Sequence, residues 1–359
     1  MEIIQIVPRL PPAVCGVGDY TMLLTNELWR SHNIHTRFIV CDPEHEVPPN
    51  ATAFTATKAP THSARGFTNL LQEMGNKGAT VLLHYSGYGY EKRGAPLWLA
   101  RGLEDWRAAA RRCHLITMFH ELFAFGPPWR SSFWNSPLQR WIVARLARIS
   151  DSCVTNNQRY ARRIETWRPP DSGRMDVFPV FSNVEESETR GSHRRNEMVV
   201  FGGRGWREAA YTKSNKDLIK VCRLLDIRRI HDIGPPLSDR FEFPIKIEWH
   251  GILSAPAIKE IMQNALVGFF TYPTPLLAKS TIFAAYAAHG LAPVTTSDND
   301  EDNEDKLQVN RHFLTCGSLT GSPGSINEVG ERAHTWYSEH RLAVQAKKYA
   351  AMLVRASLT

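Results

Sequence analysis

The chain has 359 residues, which is long enough for two domains that each bury a core of their own. Apolar residues make up 43% of it and charged residues 22%, which excludes a disordered chain, and no apolar run approaches the roughly eighteen residues of a membrane-spanning helix. The net charge of +7 raises the question of an anionic partner.

The first predicted strand and helix are joined by a loop that carries two glycines. Residues 3–7 form an apolar run, Gly16 and Gly18 follow a proline-rich bend, and an apolar-periodic helix starts at Tyr20. Glycines let the backbone approach a ligand closely, and the N–H groups at a helix N-terminus attract anions. We therefore expect this loop to hold a phosphate. Thr21 stands where a dinucleotide fingerprint has its third glycine, so a nicotinamide cofactor is disfavoured.

The first half of the chain alternates between predicted strands and helices. The strands are expected at residues 3–7, 36–40, 80–84, 114–119 and 152–155, and the helices at residues 20–30, 64–75, 98–112, 137–150 and 157–167. Such alternation predicts a parallel sheet with helices on both faces. A polar stretch at residues 185–196 follows, and we place the domain boundary there, so that the first domain spans residues 1–190.

The second half of the chain repeats this alternation. A strand at residues 198–201 ends in a second glycine-rich turn, and further strands are expected at residues 230–233, 245–249, 267–271 and 292–294, with helices at 216–225, 255–264, 280–289 and 336–355. The second domain then spans residues 191–335, and residues 336–359 form a separate C-terminal helix. The predicted fold class is α/β, with two doubly wound domains whose strand-end loops make a ligand cleft.

Arginines are concentrated in three of the predicted helices, at residues 98–112, 137–150 and 157–167. Solvated helix faces would explain this pattern, and so would attraction to an anionic substrate or an anionic membrane surface. Nucleic acid ranks last, because no nucleic-acid-binding module accompanies the charge. The six cysteines are scattered and the N-terminus does not read as a secretory signal, so we expect a cytoplasmic protein, with peripheral contact at the inner face of the membrane left open.

Four segments along the chain form an ordered set. They are the glycine loop from Gly16 to Thr21, the strand that ends in His120 and Glu121, the strand that ends in Gly203 and Arg204, and the segment at residues 247–265. Residues 283–294 follow the fourth segment and consist of a helix, Gly290 and a short strand. Together they resemble the corresponding segments of two-Rossmann-domain glycosyltransferases, close to the large retaining glycosyltransferase family 4.

This resemblance implies the GT-B fold, in which two Rossmann-like domains face each other across a cleft. It implies transfer of a hexose from a nucleotide-diphosphate sugar bound mainly to the second domain, with the acceptor bound mainly to the first. It further implies carbohydrate biosynthesis, a reaction without a metal ion and with retention of configuration, and a C-terminal helix that packs back across both domains. The nucleotide sugar is then a co-substrate and no other cofactor is expected; the acceptor is a glycan, a lipid-linked sugar or a small molecule.

One family motif is missing from the expected donor site. Where the family usually has two glutamates, for the donor sugar and the ribose, this chain has Leu277 and Ala285, which have no side-chain acceptor. Lys279, Ser280 and Thr281 lie nearby, where a loop is expected to enter a helix. A cation, two hydroxyls and helix N–H groups suit a diphosphate, whereas an ordinary N-cap and a solvated lysine would explain the same residues.

Arg204 follows the second glycine turn and is the best candidate for a phosphate ligand, because its planar guanidinium suits a diphosphate. A surface arginine at a strand end is the alternative. In the family a lysine usually follows several residues later. Arg207 and Lys213 are both candidates for that position, and Lys213 is retained as a donor-binding residue, as are Gly16 and Gly18 of the first glycine loop.

Three residues are candidates for catalysis. The resemblance places His120 next to the donor sugar, where a histidine can polarise or orient a hydroxyl, although a core histidine bonded to a carbonyl would look the same in sequence. Glu121 is a candidate base or a cap. Asp19 either orients or deprotonates the acceptor, or only complements the helix dipole.

Aromatic residues after two strands are candidates for acceptor binding. They are Tyr85 and Tyr88 after one strand, and Trp129 in a second aromatic loop, and core or lid packing is the alternative. The acidic run at residues 298–305 contains Asp-x-Asp triplets that suit magnesium or manganese, but we interpret it as a solvated loop.

Two other functions share this pattern. The missing glutamates suit a non-catalytic binding or scaffold protein on the same fold, and Lys279 with Arg204 would also suit a phosphorylase that uses free phosphate.

Overall fold

The computed structural model describes residues 1–358 except 14, 61, 76–77, 111, 125–126, 128, 130, 173–174, 187–193, 239–240, 297–302 and 320–322. The chain divides into two compact units, one formed by Met1–Phe178 with Leu342–Thr359 and the other by Pro179–Arg341. The predicted domain boundary at 190/191 lies outside the described residues, as does most of the acidic run at 298–305.

The first unit contains a seven-stranded parallel sheet. Its strands are β1 (Glu2–Val7), β2 (His35–Val40), β3 (Phe54–Lys58), β4 (Thr80–Tyr85), β5 (His114–Phe119), β6 (Ser152–Thr155) and β7 (Asp176–Val177), in the order β3-β2-β1-β4-β5-β6-β7. The central strands β4 and β5 are buried almost throughout, which explains why they are short continuous apolar runs in the sequence.

Helices connect these strands. They are α1 (Gly16–His32), α2 (Ala64–Met74), α3 (Gly87–Tyr90), α4 (Leu97–Ala109), α5 (Ser131–Ile149) and α6 (Gln158–Glu165). The apolar side chains of the strands and helices form one large core cluster around Trp106, Phe67 and Phe119, all fully buried.

The second unit contains a six-stranded parallel sheet. Its strands are β8 (Arg195–Phe201), β9 (Arg229–Ile233), β10 (Lys246–Gly251), β11 (Ala265–Phe270), β12 (Ala292–Thr295) and β13 (Leu314–Thr315), in the order β10-β9-β8-β11-β12-β13. In both sheets the strand order reverses beside the first strand, between β1 and β4 and between β8 and β11. Such switch points are where doubly wound folds bind ligands, beyond the carboxyl ends of the strands.

The helices of the second unit are α7 (Arg204–Tyr211), α8 (Asn215–Leu224), α9 (Ala255–Asn264), α10 (Thr281–Ala288) and α11 (Pro323–Ser338), with a 3-10 helix at Thr274–Lys279. Helix α10 is apolar on nearly all sides and accordingly buried. Its Tyr286 hydroxyl donates to the carbonyl oxygens of Val199 and Phe269 and accepts the Phe201 amide, which fixes α10 to the sheet.

The last helix, α12 (Leu342–Leu358), belongs to the first unit. The Tyr20 hydroxyl donates to the Gln345 side-chain oxygen at 3.1 Å, and the rings of Phe178 and Tyr349 pack 5.0 Å apart. The prediction of one helix over 336–355 is wrong, because the chain turns between α11 and α12, where the His340 amide donates to the Tyr337 carbonyl. Among the described residues no helix is both long and apolar enough to cross a membrane.

Candidate functional site

A pair of histidines lies at the carboxyl ends of β4 and β5, beside the switch point of the first sheet. His84 Nδ1 is 3.1 Å from His120 Nε2, and His84 Nε2 is 2.9 Å from the side-chain oxygen of Gln5 on β1. The Gln5 amide nitrogen donates to the hydroxyls of Thr25 and Thr36, each at 3.0 Å. A buried polar chain therefore runs from the middle of the sheet to His120.

Burial and the hydrogen bonds to Gln5 and His120 determine the protonation state of His84. Burial, and secondarily the neighbouring His120, lower the pKa of His84 well below its usual value, so His84 is neutral at pH 7. Because the Gln5 oxygen accepts, His84 carries its proton on Nε2, and its Nδ1 must accept from His120 Nε2–H. In the neutral form of His120, this hydrogen bond places the proton on Nε2, so Nδ1 is then the nitrogen without a proton.

The backbone and one aromatic ring fix His120 further. Its amide donates to the Tyr85 carbonyl at 2.9 Å, its carbonyl accepts the Asn156 side-chain amide at 3.0 Å, and the Tyr20 ring packs edge-on at 5.0 Å. Tyr20 follows Asp19 in the first turn of α1, so that turn lies next to His120. The structure thus brings two predicted catalytic residues onto adjacent elements of one unit.

Asp19 and the first glycine loop form the start of α1. No side chain among the described residues caps this helix, whose N-cap is Cys15. Gly16 is exposed, with open space where a Cβ would stand, whereas a Cβ on Gly18 would lie 2.5 Å from the Arg9 carbonyl oxygen. Gly18 is therefore required by close backbone packing, and Gly16 leaves room beside the helix terminus. Partial burial raises the pKa of the Asp19 carboxyl.

Glu121 and Tyr88 line one pocket of about 250 Å³ in the first unit. Glu121 is exposed and accepts the Ser86 hydroxyl at 3.3 Å. Gln139 also lines the pocket, and its amide nitrogen donates to the Tyr88 hydroxyl at 3.2 Å. Phe123 also lines the pocket, and the Arg140 guanidinium lies 4.7 Å from the centroid of its ring. A carboxylate, a phenol and a ring in one pocket suit a sugar or another polyhydroxyl ligand.

The other two predicted acceptor residues lie elsewhere. Tyr85 is 0% exposed and packs in the core against Phe119 and Tyr90, so its ring is not available to stack on a ligand. Trp129 is 83% exposed and is not among the residues that line the Tyr88 pocket. For Tyr85 the structure thus favours core packing, the alternative interpretation of that tyrosine.

In the second unit the turn after β8 opens directly into α7. Gly202 adopts φ +124°, and Gly203 is the N-cap of α7, with no capping side chain among the described residues. A Cβ on Gly203 or Gly205 would stand in open space. Arg204 is exposed, and its Nε donates to the Pro236 carbonyl at 3.1 Å. The result is a helix N-terminus with room for an anion and a cation beside it.

A buried ion pair supports this turn from below. The Arg207 guanidinium makes a bidentate contact with the Asp232 carboxylate and donates to the Pro235 carbonyl at 2.6 Å, and both charged side chains are 1% exposed. A Cβ on Gly234 would lie 2.2 Å from the Gly202 carbonyl oxygen. Arg207 is therefore structural, which removes it as the alternative to Lys213. Lys213 is exposed in the turn after α7.

The predicted diphosphate loop is a helix junction. The 3-10 helix ends at Lys279, and Ser280 is the N-cap of α10, with its hydroxyl accepting the Phe283 amide at 3.2 Å. Ser280 is buried and acts as an ordinary cap, whereas Lys279 and Thr281 are half-buried. Leu277 and Ala285 lie in the core of the second unit.

Sequence reasoning missed two features of these sites. Gln5 and His84, which orient His120, lie inside strand patterns that read simply as core. Trp206, in the first turn of α7, and Tyr272, just after β11, have rings 5.1 Å apart, and Trp206 is 43% exposed two residues after Arg204. An exposed aromatic next to a glycine turn was the available signal for the second feature.

Comparison with known proteins shows that this chain is similar in structure to several solved proteins. No protein-family model and no curated protein matches the sequence. The α,α-trehalose-phosphate synthase (UDP-forming) from Burkholderia xenovorans in complex with glucose-6-phosphate matches with a TM-score of 0.61 at 12% identity, over 98% of this chain and 99% of that one. The lipopolysaccharide outer core galactosyltransferase WaaB matches with a TM-score of 0.60 at 13% identity, over 98% and 99% of the two chains.

A trehalose-6-phosphate protein from E. coli bound with UDP-2-fluoro glucose matches with a TM-score of 0.63 at 10% identity, again over 98% and 99% of the two chains. At these identities the likeness concerns the fold. The chain has the α/β fold of GT-B glycosyltransferases, with one doubly wound parallel sheet in each of two units.

Proposed function

We propose that this protein is a glycosyltransferase that moves a hexose from a nucleotide-diphosphate sugar to a hydroxyl acceptor, without a metal ion and with retention of configuration. The observation that carries the proposal is the N-terminus of α7 beside Arg204, at the switch point of the second sheet, which no side chain in the described part of the protein caps. Retention rests on the sequence resemblance to family 4. The solved structures with this fold include proteins described with UDP-2-fluoro glucose and with glucose-6-phosphate, which supports a donor and acceptor of these classes.

The second unit is assigned to the donor. Glycosyl transfer breaks a C–O bond, and negative charge builds on the diphosphate leaving group as the sugar becomes cationic. The N–H dipoles at the start of α7 and the positive charge of the Arg204 guanidinium would both stabilise this anion. Lys279, Thr281 and Lys213 are proposed as further donor contacts, and the exposed Trp206 ring offers a surface on which the nucleobase stacks.

The first unit is assigned to the acceptor. The Glu121 carboxylate and Tyr88 would hold acceptor hydroxyls in their shared pocket. His120, fixed in one tautomer through His84 and Gln5, would orient or polarise the reacting hydroxyl. Asp19, whose pKa is raised by burial, would accept a hydrogen bond from the same ligand. Gly16 leaves the start of α1 open beside them.

The test is turnover of nucleotide sugars. The protein is incubated with UDP-, GDP-, ADP-, CDP- and TDP-sugars in the presence of chelator, and release of nucleoside diphosphate is measured with sugar phosphates and simple glycosides as acceptors. We expect release with one base, abolished in Arg204→Ala and unchanged in Arg223→Ala, an exposed arginine at the end of α8. The anomeric configuration of the product, read by NMR, decides retention.

A non-catalytic protein is the second candidate, and a specific observation favours it. Leu277 and Ala285 are fully buried where the resemblance expects carboxylates, so ribose is not recognised there in the family manner. This candidate predicts no release of nucleoside diphosphate from any donor. A product that forms only when inorganic phosphate is added would instead indicate a phosphorylase on the same fold.

A further inference from the structure

Two histidines and a glutamate cluster on the edge of the second sheet, in side chains that the proposed reaction does not use. His231 lies on β9, and Glu248 and His250 lie on β10, the edge strand. Glu248 is directly opposite His231 in the parallel register, and the register shifts between Trp249 and Gly251, so His250 is the extra residue of a bulge. Bulges re-aim side chains, and here the bulged residue lies beside His231.

Three atoms of this cluster form a triangle. His231 Nδ1 is 3.0 Å from His250 Nε2 and 3.6 Å from Glu248 Oε2, and His250 Nε2 is 3.9 Å from that same oxygen. The circle through three points with these separations has a radius of about 2.1 Å. Zinc lies roughly 2.0–2.2 Å from histidine nitrogens and carboxylate oxygens, so one ion placed among the three atoms would reach all of them.

A second carboxylate orients the central ligand. Glu197 Oε2 on β8 is 3.1 Å from His231 Nε2, so this oxygen accepts the proton of that nitrogen and turns Nδ1 toward the cluster. A ligating histidine in proteins commonly donates its other N–H to a carboxylate in this way, which fixes the ring and increases its basicity. His231 is 8% exposed, whereas Glu248 and His250 are 26% and 24% exposed, so the centre is supported from below and accessible to an ion.

The charges around the cluster leave one carboxylate oxygen for the ion. Arg229 and Lys246 contact Glu248 at Oε1, at 3.2 and 3.1 Å, whereas the oxygen that faces the two histidines is Oε2. These cations fix the carboxylate and offset part of its charge, and the two histidine nitrogens favour a borderline ion such as Zn²⁺ over magnesium or calcium, which prefer oxygen ligands.

We propose that His231, Glu248 and His250 form a binding site for a divalent transition metal ion, with Zn²⁺ as the probe of choice. Binding replaces the proton that the two histidines share, and the fourth position is left to water. The ion would cross-link β9 to β10 at the edge of the sheet. The site consists of other side chains than those assigned to the donor, so it stands independently of the proposed function.

The experiment uses the full chain without an affinity tag, which is dialysed against chelator, then given a slight excess of Zn²⁺ and freed of unbound ion by gel filtration. Bound metal is counted by mass spectrometry, affinity is measured by competition with a chromophoric chelator, and Co²⁺ substitution is followed by its visible absorption. We expect one ion per chain. His250→Ala and Glu248→Gln should each weaken binding at least tenfold, whereas His32→Ala, a histidine at the end of α1 outside the cluster, should not change it.

Two further measurements guard against a folding artefact. The melting temperature of each metal-free variant is compared with that of the metal-free parent, and Glu197→Gln, which leaves all three ligands in place, should lower affinity about 10–100-fold. The proposal is overturned if the parent retains no ion, or if Glu248→Gln and His250→Ala retain it as tightly as His32→Ala does.

Discussion

Removal of the Asp232 carboxylate should destabilise the second unit far more than removal of an exposed carboxylate does. Asp232→Ala leaves the Arg207 guanidinium buried, at 1% exposure, with the Pro235 carbonyl as its remaining strong partner. Breaking a buried pair by removing one member costs about 3–5 kcal/mol, since the other charge is left uncompensated.

The expected shift in melting temperature follows from the size of this unit. For a unit of this length, each kcal/mol corresponds to about 2–4 °C, so we expect a fall of roughly 6–20 °C. Thermal and urea unfolding, followed by tryptophan fluorescence, measure it. Because the ion pair supports the turn at Gly202, nucleotide affinity should fall together with stability.

A matched control is available in the same unit. Glu328 pairs with Arg332 on the surface of α11, with side chains 61% and 49% exposed, so Glu328→Ala should cost less than about 1 kcal/mol. The double variant Arg207→Met/Asp232→Leu should recover much of the lost stability, because an apolar pair can replace a buried ion pair. If Asp232→Ala is no more destabilising than Glu328→Ala, the reasoning about this turn is refuted.

Further outcomes follow from other residues. The pKa of His84 is lower in the folded state than in the unfolded state, so on acidification the unfolded chain takes up this proton at a higher pH than the folded protein does. The free energy of unfolding should therefore fall as the pH drops below about 6.5, by up to about 1.4 kcal/mol per pH unit. His84→Gln should remove this contribution, which urea titrations at several pH values measure. The same variant should lower kcat more than KM, and equal losses in stability and kcat with an unchanged pH profile would contradict a positioning role. Gly268→Ala places a Cβ 2.4 Å from the Tyr286 ring and should cost about 1–3 kcal/mol, whereas Gly205→Ala, in open space within α7, should be neutral or stabilising. Comparable melting temperatures for these two variants would count against the packing argument.

The buried strands were predictable because they are short apolar runs. The strands at 114–119 and 152–155 were predicted with the bounds that the structure has, and α9 likewise, since Ser254 and a following proline mark its start. The strands that were missed, β3, β7 and β13, are two to five residues long, and the half-exposed β3 owes its existence to pairing with β2 rather than to its own pattern.

Features that depend on contacts between distant residues could not be read from the sequence. No helix was predicted between the second glycine-rich turn and residue 216, yet residues 204–211 form α7, which is fixed by the pair between Arg207 and Asp232. The role of His84 depends on Gln5, which lies 79 positions away. The site at His231 depends on strand register and on a bulge, neither of which a sequence pattern reveals.

The most direct measurement is calorimetric titration of the chain with nucleoside diphosphates in the presence of chelator, repeated for Arg204→Ala and Arg223→Ala. The account predicts saturable binding of one nucleotide per chain, weakened about 10–150-fold by Arg204→Ala, which corresponds to the roughly 1.5–3 kcal/mol of a hydrogen bond to a charged group, and unchanged by Arg223→Ala. Absence of binding for every base, or equal affinities in the two variants, would contradict a donor site at the start of α7.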